Sequence, residues 1–495
     1  MLLDPRFLTG CIMVCAGFVT CLSQNIYSQD KPPEVIQLDQ LPKETASFVQ
    51  LQKQLEAEIG NLGPRIIEMN DWLYHHPESG YEEVRAAELL ASELKQSGFD
   101  VGFGVSGIDQ GFNDFVEQRF HGGGLKTAFV ARYKGGRQHP VICFMLEADA
   151  LRAEQGPFHG CQHNQQGPAA VGSAIALSRI MERNQIPGSV WVVHCPAEEI
   201  SPSTKAAMTG AGVFDDVDFL IRSHGTPHEA RRSRAGLGNC CMLIESTLYT
   251  FAGKPAHGSR AWQGKDALDA ARLFFTAVDM LREHSEPTFR FMGTITKVGK
   301  SPNVTNDMVE VDHWVRNSDR SGLKPIREKL EQVDTIARAA AMATFTDVKI
   351  NHYGSDGNGI ESGWLQALAW KYTRQYGDAA ALSDDLDEPT GWDESGIGAL
   401  NVPGISIKPA VADTPEVAGH SYENAAITLS PQGHKGLMQT VQIGSATALR
   451  LLLDRDLQGK VKEEFAQWQK YGLRQGMINA DMIRTKTGSS NRGSP

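Results

Sequence analysis

The chain has 495 residues, 41% of them hydrophobic and 22% charged, an ordinary globular make-up in a chain long enough for two domains. A formal net charge of −11, with no long basic run, excludes a nucleic-acid groove and argues against polyanionic partners in general.

The N-terminus stands apart. Arg6 precedes an apolar, uncharged stretch from Phe7 to Leu22, followed by polar Ser23-Gln24-Asn25. The stretch is short for a membrane span, so residues 1–28 read as a secretory signal peptide and the chain as secreted or periplasmic. An uncleaved anchor and lipid attachment at Cys21 are the competing readings. No later segment suggests a stable membrane span. Loss of the signal removes Cys11, Cys15 and Cys21 and leaves Cys143, Cys161, Cys195, Cys240 and Cys241, an odd set without regular spacing that is no disulfide framework.

Residues 29–45 carry Pro and charge and read as a linker. Helical spacing predicts a helix from Phe48 to Tyr74, stopped by His75-His76-Pro77-Glu78, and a second from Glu82 to Ser97, ended by Gly98. Strands are predicted at 127–133 and at Val141 to Leu146, where Cys143 reads as a small core residue. A helix from Pro168 to Glu182, a strand from Ser189 to His194, a helix from Ala206 to Gly212 and a strand at Phe219-Leu220-Ile221 follow. This alternation predicts an α/β sheet with helices on both faces, whose functional residues gather at the carboxyl ends of strands. The rhythm changes near Gly238. Strand (Cys241 to Phe251), helix (Asp266 to His284), two strands (Phe289 to Val298, Met308 to Val315), helix (Leu323 to Thr344) and strand (Val348-Lys349-Ile350) predict an α+β insert. The α/β pattern resumes with a helix from Trp364 to Tyr376, a strand from Gly404 to Ile407 and a helix from Gly433 to Leu453. The expected division is therefore a split domain at 46–237 and 352–473, an insert at 238–351 and a disordered tail at 474–495.

Cys161 and His163 lie two apart in the loop Gly160-Cys161-Gln162-His163-Asn164, where both can reach one ion. The pair Glu198-Glu199, then His224, then His420 follow. Thiolate, imidazole and carboxylate together suit zinc or another borderline divalent metal. A doubled Glu lets one carboxylate bind metal while its neighbour handles a proton. Asp149, Glu198-Glu199 and His224 each follow an apparent strand. His228 is an alternative to His224, and His75, His76 and His434 read as structural. The ordered set points to a metal-dependent hydrolase.

Asp149, Cys161, His163, Glu198-Glu199, His224, His257 and His420, in that order, resemble the M20 metallopeptidase and amidohydrolase family. More narrowly they are similar to its D branch, in which a Cys replaces the usual Asp ligand, and there to the aminobenzoyl-glutamate utilisation hydrolases (of the B type) and the β-alanyl-dipeptide hydrolases. Supporting stretches are Glu147-Ala148-Asp149-Ala150-Leu151, His159-Gly160-Cys161-Gln162-His163-Asn164, the run from Ala211 to Asp218, Ser301-Pro302-Asn303-Val304, Gly419-His420-Ser421 and Gly433-His434-Lys435-Gly436. The chain departs from the pattern at Gln162, where Gly is usual, at Gly225, where Pro more often follows the His, and at Trp392-Asp393-Glu394-Ser395, where the family has Thr-Asp-Val-Gly.

The resemblance implies a split α/β catalytic domain of zinc-exopeptidase type with an inserted α+β lid that also mediates homodimerisation. It implies a divalent metal, zinc or manganese, two ions per subunit, held by Cys161, His163, Glu199, His224 and His420. Glu198 would carry the proton, Asp149 would orient a ligand or bridge toward the metals, and His257 would reach a second copy's site as an oxyanion donor. Arg316 and Asn303 would hold a substrate carboxylate, for which Arg offers a two-pronged donor. The expected substrate is a small amide or dipeptide: an acyl, aminobenzoyl or β-alanyl group joined to a carboxylate-bearing amino acid. Rival expectations are a dipeptidase or N-acyl-amino-acid deacylase of the same fold and, in a different class, a non-catalytic binding protein.

Overall fold

The computed structural model describes residues 31–133, 139–202, 204–226, 229–232, 234–238, 242–299, 301–318, 323–356, 359–378, 382–386, 396–412 and 417–483. The expected signal peptide, His228, Cys240, Cys241, Trp392-Asp393-Glu394-Ser395 and the end of the tail lie outside the described residues.

Strands, in chain order, are β1 Phe99–Phe103, β2 Phe129–Tyr133, β3 Val141–Leu146, β4 Ser189–His194, β5 Phe219–Ser223, β6 Ala230–Arg232, β7 Gly236–Leu237, β8 Leu243–Ala252, β9 Phe289–Lys297, β10 Met308–Asn317, β11 Asp347–Asp356, β12 Ile360–Glu361, β13 Leu382–Leu386 and β14 Gly404–Ile407. The larger sheet has eight strands in the order β1-β2-β4-β3-β5-β14-β12-β7. Its centre, from β4 to β12, is parallel, and the flanking pairs are antiparallel. Every residue of β3 and β4 is buried, as expected of parallel strands covered on both faces. Such strands can offer polar chemistry only where they end.

The helices are α1 Ala46–His75, α2 Val84–Gln96, α3 Gln110–Phe120, α4 His163–Asn184, α5 Thr204–Gly210, α6 Ala267–Glu283, α7 Leu323–Ala343, α8 Gly363–Tyr376, α9 Gly396–Asn401, α10 Tyr422–Ile427, α11 Pro431–Leu453 and α12 Arg455–Gln475. One core joins residues of α1, α2, α4, α8, α11 and α12 to the central strands, with Leu73, Leu90, Val171, Leu177 and Val441 inaccessible to solvent. A second gathers around Cys143, Trp191, Leu220 and Val116.

Besides short elements such as β6, β7, β12, β13, α9 and α10, sequence reasoning passed over β1, α3 and α12. Strand β1 and helix α3 occupy the stretch between Gly98 and Thr127 that showed no clear period. In α12 only Leu457, Val461, Glu464, Phe465 and Gly472 are buried, so its apolar stripe is sparse. Glu464 accepts hydrogen bonds from Ser362 Oγ and Gly363 N, both at 2.8 Å, and so caps α8 from another helix. Within residues 474–483, expected to open a disordered tail, Met477 and Ile478 are buried and join Leu237, Ile360, Leu400 and Phe465 in a small cluster. Helix α4 begins at His163 rather than Pro168, because Gln162 at φ 64 turns the chain into the helix.

The smaller sheet, β11-β8-β10-β9, is wholly antiparallel. One face is covered by α6 and α7 through Phe274, Val278, Ile326 and Val333, packed on Tyr249, Phe251, Val309 and Val311. Strand β10 alternates buried with half-buried, and β9 is exposed from Met292 to Lys297. The last strand runs to Asp356, past the expected boundary at 351. The insert is seated on the larger unit by Arg119 Nη1 on Glu310 Oε1 at 2.7 Å, by Ser201 Oγ on Ser246 Oγ at 2.9 Å and by the Phe115–Tyr353 ring stack at 5.0 Å.

Candidate metal centre

The site forms where β3, β4 and β5 end. Glu147 and Asp149 follow β3, Glu198-Glu199 follow β4, and His224 follows β5. Cys161 and His163 enter from the start of α4. His420, at φ 61, is tied back by its N–H on the Gly160 carbonyl at 3.0 Å.

His163 sits at the centre, 1% exposed. Its Nδ1 is 3.0 Å from Asp149 Oδ1 and 3.1 Å from the Asp149 carbonyl, which fixes the ring. Its Nε2 lies 3.3 Å from Glu147 Oε2, 3.6 Å from Glu198 Oε2 and 4.0 Å from Glu199 Oε1. The other Glu199 oxygen is 3.8 Å from His420 Nε2, so this carboxylate stands between two imidazoles. Cys161 Sγ is 3.3 Å from His224 Nε2. Among the described residues, donor atoms lying within 4.8 Å of one another fall into three groups: Cys161, His163 and His224; Cys161, Glu199 and His420; and Glu147, His163 and Glu198. The first two groups share Cys161 and together contain all five expected ligands.

These residues fit a divalent cation. His163 Nε2 and Glu199 Oε1 are buried without a hydrogen-bond partner, which is costly unless something positive faces them. Burial, then the charge of Glu147 and Glu199, raises the Glu198 carboxyl well above the usual range. Burial likewise pushes Glu199 up to about 7, and burial and Glu199 push the Cys161 thiol up. Crowded, desolvated acids of this kind are relieved by a metal charge in their midst.

Glu147 was not among the expected site residues, yet it faces His163. The spacing of Glu147 and Asp149 could have found it, since residues two apart on extended chain share a face. Its other oxygen, Oε1, pairs with Lys205, whose side chain is fully buried, while Gln166 Nε2 donates to Oε2, the oxygen that faces His163, at 2.8 Å. Lys205 and Gln166 gave no signal of their own, being placed only by the packing of α5 and α4 against the strand ends.

The insert sends one of its expected residues toward the cluster. Arg316, near the end of β10, lies within electrostatic range of Glu198, Glu199 and His420, and burial pulls its pKa down. Its guanidinium rests 5.2 Å over the Trp314 ring. His257 and Asn303 are not brought to the cluster within one chain. A bridge pairs His257 with Val304, Gly258 N donates to the Asn303 carbonyl at 2.6 Å, and His257 Nδ1 accepts from Ser259 N at 3.1 Å, all on an exposed loop of the insert. Asn303, expected to help hold a substrate carboxylate, thus lies away from the cluster of its own chain.

The two departures at Gln162 and Gly225 belong together. Gln162 holds a left-handed φ of 64, where glycine is at ease, and its amide nitrogen donates to Asn424 Oδ1 at 2.8 Å. A Cβ at Gly225 would lie 2.2 Å from Gln162 Oε1. Gly225 thus leaves the room that the larger residue at 162 fills.

The fold and the site together define a class: a split α/β protein with an inserted α+β unit and a divalent-metal centre at the carboxyl ends of its parallel strands. No family model matches the sequence. Among curated proteins, the chain is 32% identical over 304 residues to the B-type component of the p-aminobenzoyl-glutamate hydrolase of Escherichia coli (strain K12), covering 58% of this chain and 57% of that one. It is 26% identical to the Xaa-Arg dipeptidase of Mus musculus over 85% of this chain and 94% of that one. The match to the first of these thus takes in little more than half of its length. Among solved structures, the fold is similar to that of the aminobenzoyl-glutamate utilization protein from Klebsiella pneumoniae, with a TM-score of 0.54 and 18% identity over 81% of this chain and 98% of that one. The chain is thus similar to hydrolases of the aminobenzoyl-glutamate and dipeptide kind, in keeping with the M20 resemblance of its motifs.

Proposed function

We propose that the chain is a metal-dependent amidohydrolase that cleaves the amide between an acyl, aminobenzoyl or β-alanyl group and an amino acid bearing a free carboxylate. The observation that carries this reading is Glu198, buried beside the donor cluster and absent from both groups that contain the five expected ligands. The names of the relatives support it at the level of acyl-amino-acid and dipeptide amides.

Cys161, His163, Glu199, His224 and His420 would hold two divalent ions, zinc or manganese. When bound, such ions supply Lewis acidity, polarising the amide carbonyl and easing ionisation of a water. Glu198 takes the proton from that water and passes it to the leaving amine. Asp149, bonded to both His163 Nδ1 and the Glu199 N–H, keeps the ring and the carboxylate turned inward. Arg316 meets the substrate carboxylate. His257, remote in its own chain, acts on the site of a second copy in a homodimer, donating to the oxyanion. Asn303, beside it on the same loop, would accompany it.

A panel tests the proposal. Purified protein loaded with zinc or manganese is assayed against p-aminobenzoyl-glutamate, acetyl- and β-alanyl-amino acids and plain α-dipeptides, with products identified. Hydrolysis of acyl or aminobenzoyl amides that ends on metal chelation is expected. Cleavage of α-dipeptides alone would favour the dipeptidase reading, which the 94% coverage of the Xaa-Arg dipeptidase supports. Stoichiometric metal with no hydrolysis of any amide would favour a binding protein.

A further inference from the structure

Glu83 is a buried carboxyl group to which the proposed hydrolysis gives no task. It is fully buried and stands at the N-cap of α2, yet its side chain does not cap that helix. Glu78 does so instead, accepting the Ala86 N–H at 2.9 Å. The Glu83 side chain crosses to the loop after β4. There Oε1 accepts the Ala197 N–H at 2.6 Å, and Oε2 is 3.2 Å from the Thr127 hydroxyl.

Ala197 is the residue before Glu198, and it holds a left-handed φ of 58. That conformation is unfavourable for an alanine and persists only where the surroundings impose it. They do so tightly: a Cβ on Gly80 would lie 2.9 Å from both Cα and Cβ of Ala197. On the other side of Glu198, Asp149 Oδ2 accepts the Glu199 N–H at 2.9 Å. Two buried carboxyl groups from different elements therefore hold the backbone N–H groups on either side of Glu198.

We infer that Glu83 is a positioning residue for the hydrolysis: by gripping the Ala197 N–H it sets the turn that aims Glu198 at the reacting centre. The inference rests on Glu198 being the proton carrier. Burial first, then the charge of Asp149, pushes the Glu83 carboxyl up, which favours its neutral form. Glutamine imitates that form, with a carbonyl for Ala197 and an amide donor for Thr127.

The test compares Glu83→Ala, Glu83→Gln and Glu198→Gln, each metal-loaded, on the panel amide that the parent protein hydrolyses fastest. Metal content and Tm are measured alongside kcat and KM. For Glu83→Ala we expect kcat to fall on the order of 10- to 100-fold, as for a small misplacement of a catalytic group, with KM and metal stoichiometry held within about threefold. Glu83→Gln should recover most of that loss. Where Glu83→Ala fails to fold, Glu83→Asp, which draws the acceptor back by one methylene, takes its place with the same expectation. A folded Ala or Asp variant with kcat within about threefold of the parent, or one in which kcat, KM and metal content fall together, overturns the inference, as does a Gln variant no better than Ala. If Glu198→Gln itself keeps turnover, the proton-carrier reading fails first; loss in Glu198→Gln beside full kcat in Glu83→Ala refutes the positioning role alone.

Discussion

The two sheets of this molecule solve the problem of burial differently. In the larger sheet β3 and β4 are buried at every position, and polar groups gather only where the strands stop. In the smaller sheet β10 alternates, and β9 leaves Met292 and Ile295 exposed on an open edge. The first arrangement concentrates Glu147, Asp149, Glu198 and Glu199 in a desolvated pocket where each charge is felt strongly. The second offers an apolar surface and exposed loops, including the one that carries His257 and Trp262. A covered sheet builds chemistry at its ends, and a half-open sheet builds contacts on its face. Substitutions on the two sides should therefore fail in different ways.

The sharpest expected difference is at Glu198. Glu198→Gln should lower kcat by about 2–4 orders of magnitude while metal content stays normal, since a proton carrier is lost and no ligand is. Steady-state assay with elemental analysis checks this; loss of metal together with activity would mean that Glu198 and Glu199 have exchanged roles. Next in size is Cys161→Ser. A neutral hydroxyl is a poor substitute for a thiolate, and even outer partners of metal ligands are worth about 10–100-fold in affinity, so metal binding should weaken by more than about tenfold. Titration against a metal chelator reads this directly, and unchanged affinity would remove Cys161 from the ligand set.

Arg316 tests a place where the insert comes within electrostatic range of the cluster. Arg316→Ala should raise KM by about tenfold or more for substrates with a free carboxylate, the scale of a lost charge-assisted hydrogen bond. The corresponding amide-capped substrates should feel the change far less. Equal effects on both would assign Arg316 to seating the insert instead.

These expectations mirror how much of the molecule is legible in its sequence. The strands β3, β4, β5 and β14 are legible because parallel strands leave uninterrupted apolar runs. Cys161, His163, Glu198, Glu199 and His224 are legible because strand ends and short spacings mark them. Glu147 is missed although its spacing from Asp149 marks it, and Lys205 is not legible, because a residue of a short helix packed against a strand end leaves no local pattern. The side chain of Glu83 is hidden in the same way, in a helix start whose own cap is supplied by Glu78. Arg316 can be named from residue type, but only the seating of β10 on the larger unit through Arg119, Ser201 and Phe115 brings it near Glu199. The exposed loop of His257 can be placed in the insert and nowhere nearer to the metal ligands.

That loop gives the last prediction, which bears on whether the two units cooperate within one chain or between two. His257 has its contacts with Ser259 and Val304, away from the cluster of its own chain. If it serves a second copy, Glu198→Gln and His257→Ala should each be inactive alone and should complement each other once mixed under conditions of subunit exchange. Random pairing makes about half of the dimers mixed, and each mixed dimer has one site with both an intact Glu198 and an intact His257, so about a quarter of parental activity should return. Exchange is verified independently with differently tagged chains, so that silence has a meaning. Demonstrated exchange without activity would return His257 to its own chain or remove it from the reaction. The exposed face of β9 would then need some other explanation than a shared site.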